Sequence, residues 1–210
     1  MSTALILLIA ASAMSPPQPI NPQYWFSPYD YPFQAGYRGE QGDTGYRLTV
    51  AKGGRVIHCE ITQSSGSPML DTKFCSKTMG RNLFRGALDR DGQRILGVYR
   101  SRMRWIVPEK PAPDRFIPAD ILLWVQKLPD GFPNPLPVQL NLLVDEAGNI
   151  EACEPAFAKM PIALAKTACD QTLAKLKPAP ARDSGNMPGR SIQNANIVFA
   201  IEGAPRTPAQ

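Results

Sequence analysis

Apolar and polar residues alternate along two early stretches of the chain, which predicts two β-strands. Residues 44–50 place an apolar side chain at every second position. The Gly53-Gly54 pair that follows favours a tight hairpin turn, because glycine readily adopts positive φ. Residues 56–64 predict the return strand, with Ile57 and Cys59 on its inner face.

A helical pattern follows this hairpin. Residues 65–68 (Ser-Gly-Ser-Pro) interrupt the second strand, and residues 68–81 predict a helix with Cys75 on its inner side. Residues 98–107 then alternate again and predict a third strand. Its outward face carries a basic row, which consists of Arg100, Arg102 and Arg104.

The same order of elements returns in the second part of the chain. Residues 138–144 and 150–155 predict strands, and residues 191–199 predict the last one. The helix between them is predicted from an apolar stripe at helical spacing: Ile162, Ala165, Cys169, Leu173 and Leu176.

A constant separation of 94 residues relates many typed positions of the two parts, including Leu48 to Leu142, Cys59 to Cys153 and Cys75 to Cys169. Beyond the helix a slightly different offset relates Ala87 to Ala179. The repeat predicts an internal duplication and an α+β fold: two tandem modules, each a three-stranded antiparallel sheet with one helix packed on a face.

The segments around the two modules differ in composition. We expect a Pro-rich leader at 14–29, modules at 30–107 and 136–201, a linker with an extended segment at 108–135, and a disordered tail at 202–210. The leader is expected to pack its aromatic residues on the first module: Tyr24, Trp25, Phe26, Tyr29 and Tyr31.

Residues 4–11 form a short apolar run, and Ala11-Ser12-Ala13 matches a signal-peptide cleavage pattern. The run is shorter than the ~20 apolar residues that span a bilayer as a helix. We therefore expect residues 1–13 to be an export signal and the protein to be periplasmic. The alternative is an inner-membrane anchor that leaves the chain facing the periplasm.

The charge of the chain restricts its partners. The 210 residues carry a net charge of +5, with a pI near 9.1. The basic residues are scattered, so the sequence does not predict a nucleic-acid surface. An acidic partner is compatible with this charge.

The four cysteines form two pairs with equal spacing. Each pair connects a strand to the inner face of the following helix, and such residues lie within disulfide distance when they pack together. We predict disulfides between Cys59 and Cys75 and between Cys153 and Cys169. The alternatives are reduced core cysteines or a metal site, although structural zinc sites usually have closer ligand spacing.

No catalytic constellation is evident. His58 is the only histidine, and the nearby serines lack a Gly-x-Ser-x-Gly context. We therefore expect no enzyme activity, no cofactor, no metal and no small-molecule substrate.

Several motifs of residues 30–107 together resemble the TonB C-terminal domain family. They are Asp30-Tyr31-Pro32, Gly54-Arg55-Val56, Ser64-Ser65-Gly66-Ser67-Pro68-x-Leu70-Asp71 and Phe84-Arg85-x-Ala87. Residues 136–201 resemble a degenerate relative that keeps Lys177-Pro178-Ala179 but has Phe157-Ala158-Lys159 in place of Ser-Ser-Gly.

The resemblance implies a periplasmic protein-binding module linked to TonB-dependent transport across the outer membrane. Its partner would be an outer-membrane TonB-dependent receptor or a TonB-system protein, held by pairing of a peptide strand with residues 98–107. The candidate peptide-binding residues are Tyr31, Pro32, Arg100, Arg102 and Arg104. The alternative is a non-catalytic envelope structural protein whose two modules pack together as a pseudo-dimer.

Overall fold

One mixed β-sheet runs through both parts of the protein. A computed structural model describes residues 13–108, 110–111, 119–157 and 160–202. The fold is α+β with far more strand than helix. The described strands are β1 (Gln18–Pro19), β2 (Gly42–Val50), β3 (Val56–Gln63), β4 (Phe84–Arg85), β5 (Ala87–Leu88), β6 (Arg94–Trp105), β7 (Ile121–Val125), β8 (Leu136–Val144), β9 (Ile150–Pro155), β10 (Ala181–Arg182), β11 (Pro188–Gly189) and β12 (Ser191–Ile201). The described α-helices are α1 (Phe33–Tyr37), α2 (Pro68–Thr78) and α3 (Ile162–Lys175).

The central strand order is β3-β2-β6-β12-β8-β9. We call residues 42–105 the first half and residues 136–201 the second half. Strands within each half pair antiparallel, whereas β6 and β12 pair in parallel where the halves meet. The third strands of the two halves are therefore neighbours in one sheet.

Helices α2 and α3 cover opposite faces of this sheet. Leu48, Leu70 and Phe74 form part of the core beneath α2, and Leu140 and Phe199 belong to the core beneath α3. Ile95 of β6 lies on the α2 side and packs with Ile192 of β12. Ile192 and Phe199 face opposite sides of the sheet, because their positions on the strand differ by an odd number, seven. Each helix thus protects one side of its own half.

Positions that are 94 residues apart have matching local geometry. Gly54 and Gly148 have φ values of 89° and 90°, and an added Cβ would meet the carbonyl oxygens of Phe84 and Pro178. Thr78 and Thr172 are both buried, and each hydroxyl donates to the carbonyl four residues earlier. The same offset therefore relates turn and helix positions.

The offset does not change beyond the helix. Asp89 Oδ1 accepts the backbone N–H groups of Asp91 and Gln93, and Asp183 Oδ1 accepts those of Gly185 and Met187. The predicted relation of Ala87 to Ala179 is therefore wrong, because the structure aligns Ala87 with Ala181, also 94 residues apart. Repeated Pro-Ala pairs in the second half concealed the correct alignment.

Two predicted side-chain directions are also wrong. A register shift between β2 and β3 turns Ile57 away from Cys59, so that Ile57 packs with Leu96 and Val98. On α3, Ile162 is 87% exposed, and the buried line instead follows positions four apart, at Ala168 and Thr172.

The leader is part of the folded structure. β1 pairs with β4, and Trp25 is buried against Phe84. Tyr24 and Tyr29 are 78% and 97% exposed, so the expectation that all leader aromatics pack inward is wrong for these two. Residues 1–12 of the predicted signal segment 1–13, and residues 203–210 of the predicted tail 202–210, lie outside the described residues.

Candidate functional site

Strand β6 has a backbone edge that is only partly covered. On one side it pairs with β2 from Gly97 to Trp105. On the other side, its described pairing with β12 is limited to Leu96 and Gly97. Among the described residues no strand pairs with this side of β6 from Val98 to Trp105; we call this side the β6 edge. It is the segment that the sequence singles out as peptide-binding.

The basic row lies along this strand, on the face opposite α2. The side chains of Arg100, Arg102 and Arg104 are 32%, 31% and 26% exposed. They are half-buried and ion-paired, so the row differs from the fully solvated face that alternation alone suggests. Arg100 lines a groove that Leu142 and Gln193 of the second half also line.

Two aspartates neutralise most of the row. Arg104 makes two hydrogen bonds to Asp43, at 2.9 and 3.0 Å, and Arg100 lies 2.6 Å from Asp120. Hydrogen bonding to Asp43 raises the pKa of Arg104 further, so its charge is permanent. The side chain of Asp120 also accepts the backbone N–H of Asn196, which connects the first half to β12.

Arg102 is less well satisfied than its neighbours. Its Nη1 lies 3.9 Å from Asp43, is buried, and has no hydrogen-bond partner within the described part of the chain. A small cavity of about 50 Å³ lies there, and Ser101 and Asn196 contribute to its lining. A carboxylate or carbonyl oxygen that entered this cavity would find a charged donor.

A buried polar network supports the end of β6. Asp71 on α2 accepts hydrogen bonds from Ser64 Oγ at 2.6 Å, Ser65 N at 3.0 Å and Thr44 Oγ1 at 2.8 Å. Thr44 in turn accepts the indole N–H of Trp105 at 3.0 Å. We call these five residues the Asp71 network. It connects the Ser-Ser-Gly turn to the last residue of β6.

Burial alone would raise the pKa of Asp71, but the hydrogen bonds from Ser64, Ser65 and Thr44 outweigh it and lower the pKa below its usual value. The carboxylate is therefore charged at neutral pH and acts as a fixed acceptor. The network is not repeated in the second half, where Val138, Ala165 and Phe199 stand 94 residues after Thr44, Asp71 and Trp105.

The residues that directly follow the leader pack against the same end of β6. The ring of Tyr31 lies perpendicular to that of Trp105, with centroids 5.5 Å apart, and its hydroxyl donates to the Glu40 carbonyl. Pro32 directly precedes α1. The structure thus brings the predicted residues Tyr31 and Arg104 to one end of β6, whereas Arg100 lies near the middle of the strand.

Asp30, which directly precedes Tyr31, anchors this segment to α2. Its carboxylate lies 2.8 Å from Lys77 Nζ and accepts the backbone N–H of Ser27. The hydrogen bond from Lys77 and the one from Ser27 lower the pKa of Asp30 to about 2. The carboxylate of Asp30 is therefore charged at neutral pH and anchors the residues next to Tyr31 there.

Both predicted disulfides are present. Cys59 bonds Cys75 and Cys153 bonds Cys169, with Cα separations of 5.6 and 5.8 Å. Each bond joins a strand to the helix above it, and the alternatives of a zinc site or of reduced cysteines are wrong. His58 lies on the exposed side of β3.

These features define a mostly β, disulfide-linked α+β domain with a supported but incompletely paired strand. Residues 27–76 match the family model for the Gram-negative bacterial TonB protein C-terminal domain. The resemblance found in the sequence is thereby confirmed for this segment, which contains the leader turn, β2, β3 and most of α2. The family is a non-catalytic protein-interaction domain of the cell envelope.

The match ends before β6 and does not include the second half. No curated protein and no solved structure matches the chain. Within the described residues, none of the helices has the length and apolar character needed to cross a bilayer.

Sequence reasoning missed the partners of the arginine row. Asp43 and Asp120 lie far from the row in sequence, so no local pattern predicts their ion pairs. Part of the Asp71 network could have been predicted, because the Ser-Ser-Gly-x-x-x-Leu-Asp motif contains three of its five residues. The contributions of Thr44 and Trp105 could not, because both residues are distant from the motif in sequence.

Proposed function

We propose that the chain is a periplasmic TonB-like binding module, linked to TonB-dependent transport, that pairs an extended receptor peptide with its β6 edge. The observation that carries the proposal is the pairing of β7 with β12. β7 lies parallel to β12 and pairs with it from Ile197 to Ile201. The positions 94 residues earlier, 103–107, include the end of the β6 edge.

The chain thus supplies its own example of strand addition. The side chains of Ile121, Leu123 and Val125 on β7 pack against the core beneath α3, whereas Leu122 and Trp124 are exposed. An equivalent peptide on β6 would place alternate apolar residues against the core beneath α2. Main-chain hydrogen bonds would provide affinity, and the alternating side chains would provide specificity.

The other face of the bound peptide would meet the arginine row. The three arginines and their two aspartate partners leave one net positive charge, and Arg102 Nη1 has no hydrogen-bond partner among the described residues. We therefore propose a peptide in which apolar residues alternate with acidic ones. An outer-membrane TonB-dependent receptor or another protein of the TonB system would present it.

We also propose that the chain arose by duplication of one TonB-like module. The constant offset of 94 residues in the glycine turns, the buried threonines and the aspartate turns supports this origin. The proposed boundaries are 30–107 and 136–201, joined by 108–135. The leader is 14–29 and the tail is 202–210, and residues 1–13 direct export to the periplasm.

A charge substitution in the arginine row tests the proposed site. Titration of Arg102→Glu with an acidic–apolar peptide should give an affinity roughly tenfold weaker than that of the unmodified chain, because about 1.4 kcal/mol of charge complementarity is lost. Arg85→Glu is the matched control. It changes the charge equally at an exposed position on β4 and should bind normally. Equal weakening in both variants would show a non-specific charge effect and contradict the proposal.

A second candidate function is a structural envelope module without receptor coupling, in which the halves form a covalent pseudo-dimer. The parallel pairing of β6 with β12 favours it, because the second half already covers the residues of β6 that directly precede the β6 edge. A pull-down from envelope extracts distinguishes the two: transporters support the binding module, and cell-wall or assembly factors support the structural one.

A further inference from the structure

Met14 is buried at the contact between the two halves. Its side chain is only 4% exposed. It packs with Ala87 and Ile95 of the first half and with Leu143 and Ile192 of the second half. Met14 therefore joins the leader to both halves of the sheet.

The backbone next to Met14 is held as firmly as its side chain. Ser15 and Leu88 exchange two backbone hydrogen bonds of 2.9 Å. The backbone nitrogen of Met14 donates to Glu154 Oε2 at 3.2 Å. The other carboxylate oxygen, Oε1, accepts from Arg90 Nε at 2.8 Å. Glu154 therefore presents one oxygen to Arg90 and the other to the Met14 nitrogen.

The predicted cleavage pattern ends immediately before this nitrogen. Ala11-Ser12-Ala13 has the small-x-small form, and Ala13 is exposed whereas Met14 is not. The last residue of the predicted cleavage pattern thus directly precedes a buried residue.

We propose that export processing cleaves the Ala13–Met14 bond and that Glu154 binds the resulting α-ammonium group of Met14. The proposal rests on the export part of the proposed function. A signal peptidase hydrolyses the amide: water adds its oxygen to the Ala13 carbonyl carbon, and the nitrogen leaves as an amine that is protonated at neutral pH. Cleavage precedes folding, because folding buries Met14.

Processing would strengthen the contact between the halves. Before cleavage Glu154 accepts a neutral peptide N–H; afterwards it accepts a cationic donor, and charge-assisted hydrogen bonds are the stronger kind. The carboxylate belongs to β9, Arg90 to the turn before β6, and Met14 to the leader. Mature chains would therefore hold three segments together through one carboxylate.

The test compares two chains that differ by one residue. Chains 14–210 and 13–210 are released from a fusion by a protease that leaves no extra residue, and their urea unfolding is measured. Chain 14–210 should have a folding equilibrium constant about fivefold larger, because Glu154 is partly exposed and its ion pair is worth about 1 kcal/mol. In chain 13–210 the Met14 nitrogen is again an amide.

Glu154→Gln should abolish the difference between the two chains. Glu151→Gln is the matched control, since Glu151 lies on the same strand but pairs with Arg190, and it should preserve the difference. A difference that persists in Glu154→Gln, or equal stability of the two unmodified chains, overturns the role of Glu154.

The intact mass of the full-length gene product recovered from the periplasm tests the cleavage position. A mature chain that begins at Met14 supports the proposal, and any other start overturns it. An uncleaved chain would contradict export processing itself. Cleavage at the Ala13–Met14 bond without a contribution from Glu154 to stability would overturn the proposed binding of the Met14 ammonium group and leave the proposed export intact.

Discussion

Replacing Asp71 by alanine should lower the free energy of unfolding by about 3 kcal/mol. The carboxylate is 8% exposed and accepts hydrogen bonds from Ser64, Ser65 and Thr44. Its removal leaves buried donors unsatisfied, at a cost of about 1–3 kcal/mol for each such group. Urea unfolding measures the loss. The indole N–H resonance of Trp105 should also shift, because Thr44 connects it to Asp71.

The second half supplies a matched control for this prediction. It carries Val138, Ala165 and Phe199 where the first half has Thr44, Asp71 and Trp105. The triple variant T44V/D71A/W105F should therefore be more stable than D71A alone, because it also removes the Thr44 hydroxyl, which D71A leaves without its acceptor, and the indole N–H that donates to this hydroxyl. A triple variant less stable than D71A would contradict the network interpretation.

Acid should diminish the difference between the unmodified protein and D71A. The pKa of Asp71 in the folded protein lies below its unfolded value of about 3.9, since its hydrogen bonds favour the charged form. Its contribution to stability is complete above that unfolded value and disappears as the pH falls through the folded pKa. Unfolding measured from pH 6 to pH 2 should show the two proteins converging.

Removing either disulfide should lower stability by about 3 kcal/mol. Each bond joins cysteines 16 positions apart, and the chain-entropy model predicts this loss for a loop of that size. The variants C59A/C75A and C153A/C169A should have similar urea midpoints, because the two loops are equal in length. In this model the loss arises mainly because the unfolded chain gains conformational entropy when the crosslink is removed.

Comparing the effects of D71A and C59A/C75A on peptide affinity separates the role of the Asp71 network from that of the disulfides. The disulfides occur in both halves, whereas the Asp71 network occurs only in the first. C59A/C75A should leave peptide affinity nearly unchanged as long as the protein stays folded, and D71A should weaken it by disturbing Trp105. Equal effects on affinity would contradict the assignment of the network to the site and of the disulfides to stability.

Patterns of neighbouring residues predicted the strands and helices that have one buried face. Alternation predicted the central strands, and helical spacing located α2 and α3, because these signals depend on the burial of one face. The cysteine pairs were also predictable from their positions on a strand and the next helix. The direction of Ile57 was not, because it depends on a register shift between β2 and β3.

The joining of the halves was not predictable in the same way. The parallel contact of β6 with β12 involves few residues and leaves no periodic signal. The ion pair between Arg100 and Asp120 was not predictable either, because only the fold brings these two residues together. The candidate site was therefore located by its strand and its charge, while its neutralising partners and its cavity came from the structure.

The most direct test of the proposed site is amide NMR of the full chain during titration with an acidic–apolar peptide. We predict shifts along residues 98–105 and inter-strand nuclear Overhauser effects between the peptide and β6, in the parallel orientation that β7 adopts on β12. A peptide of the same composition with prolines in its centre should not produce them, because proline cannot donate to a strand ladder. The absence of shifts at millimolar peptide, or shifts confined to the outer strands β3 and β9, would contradict the account.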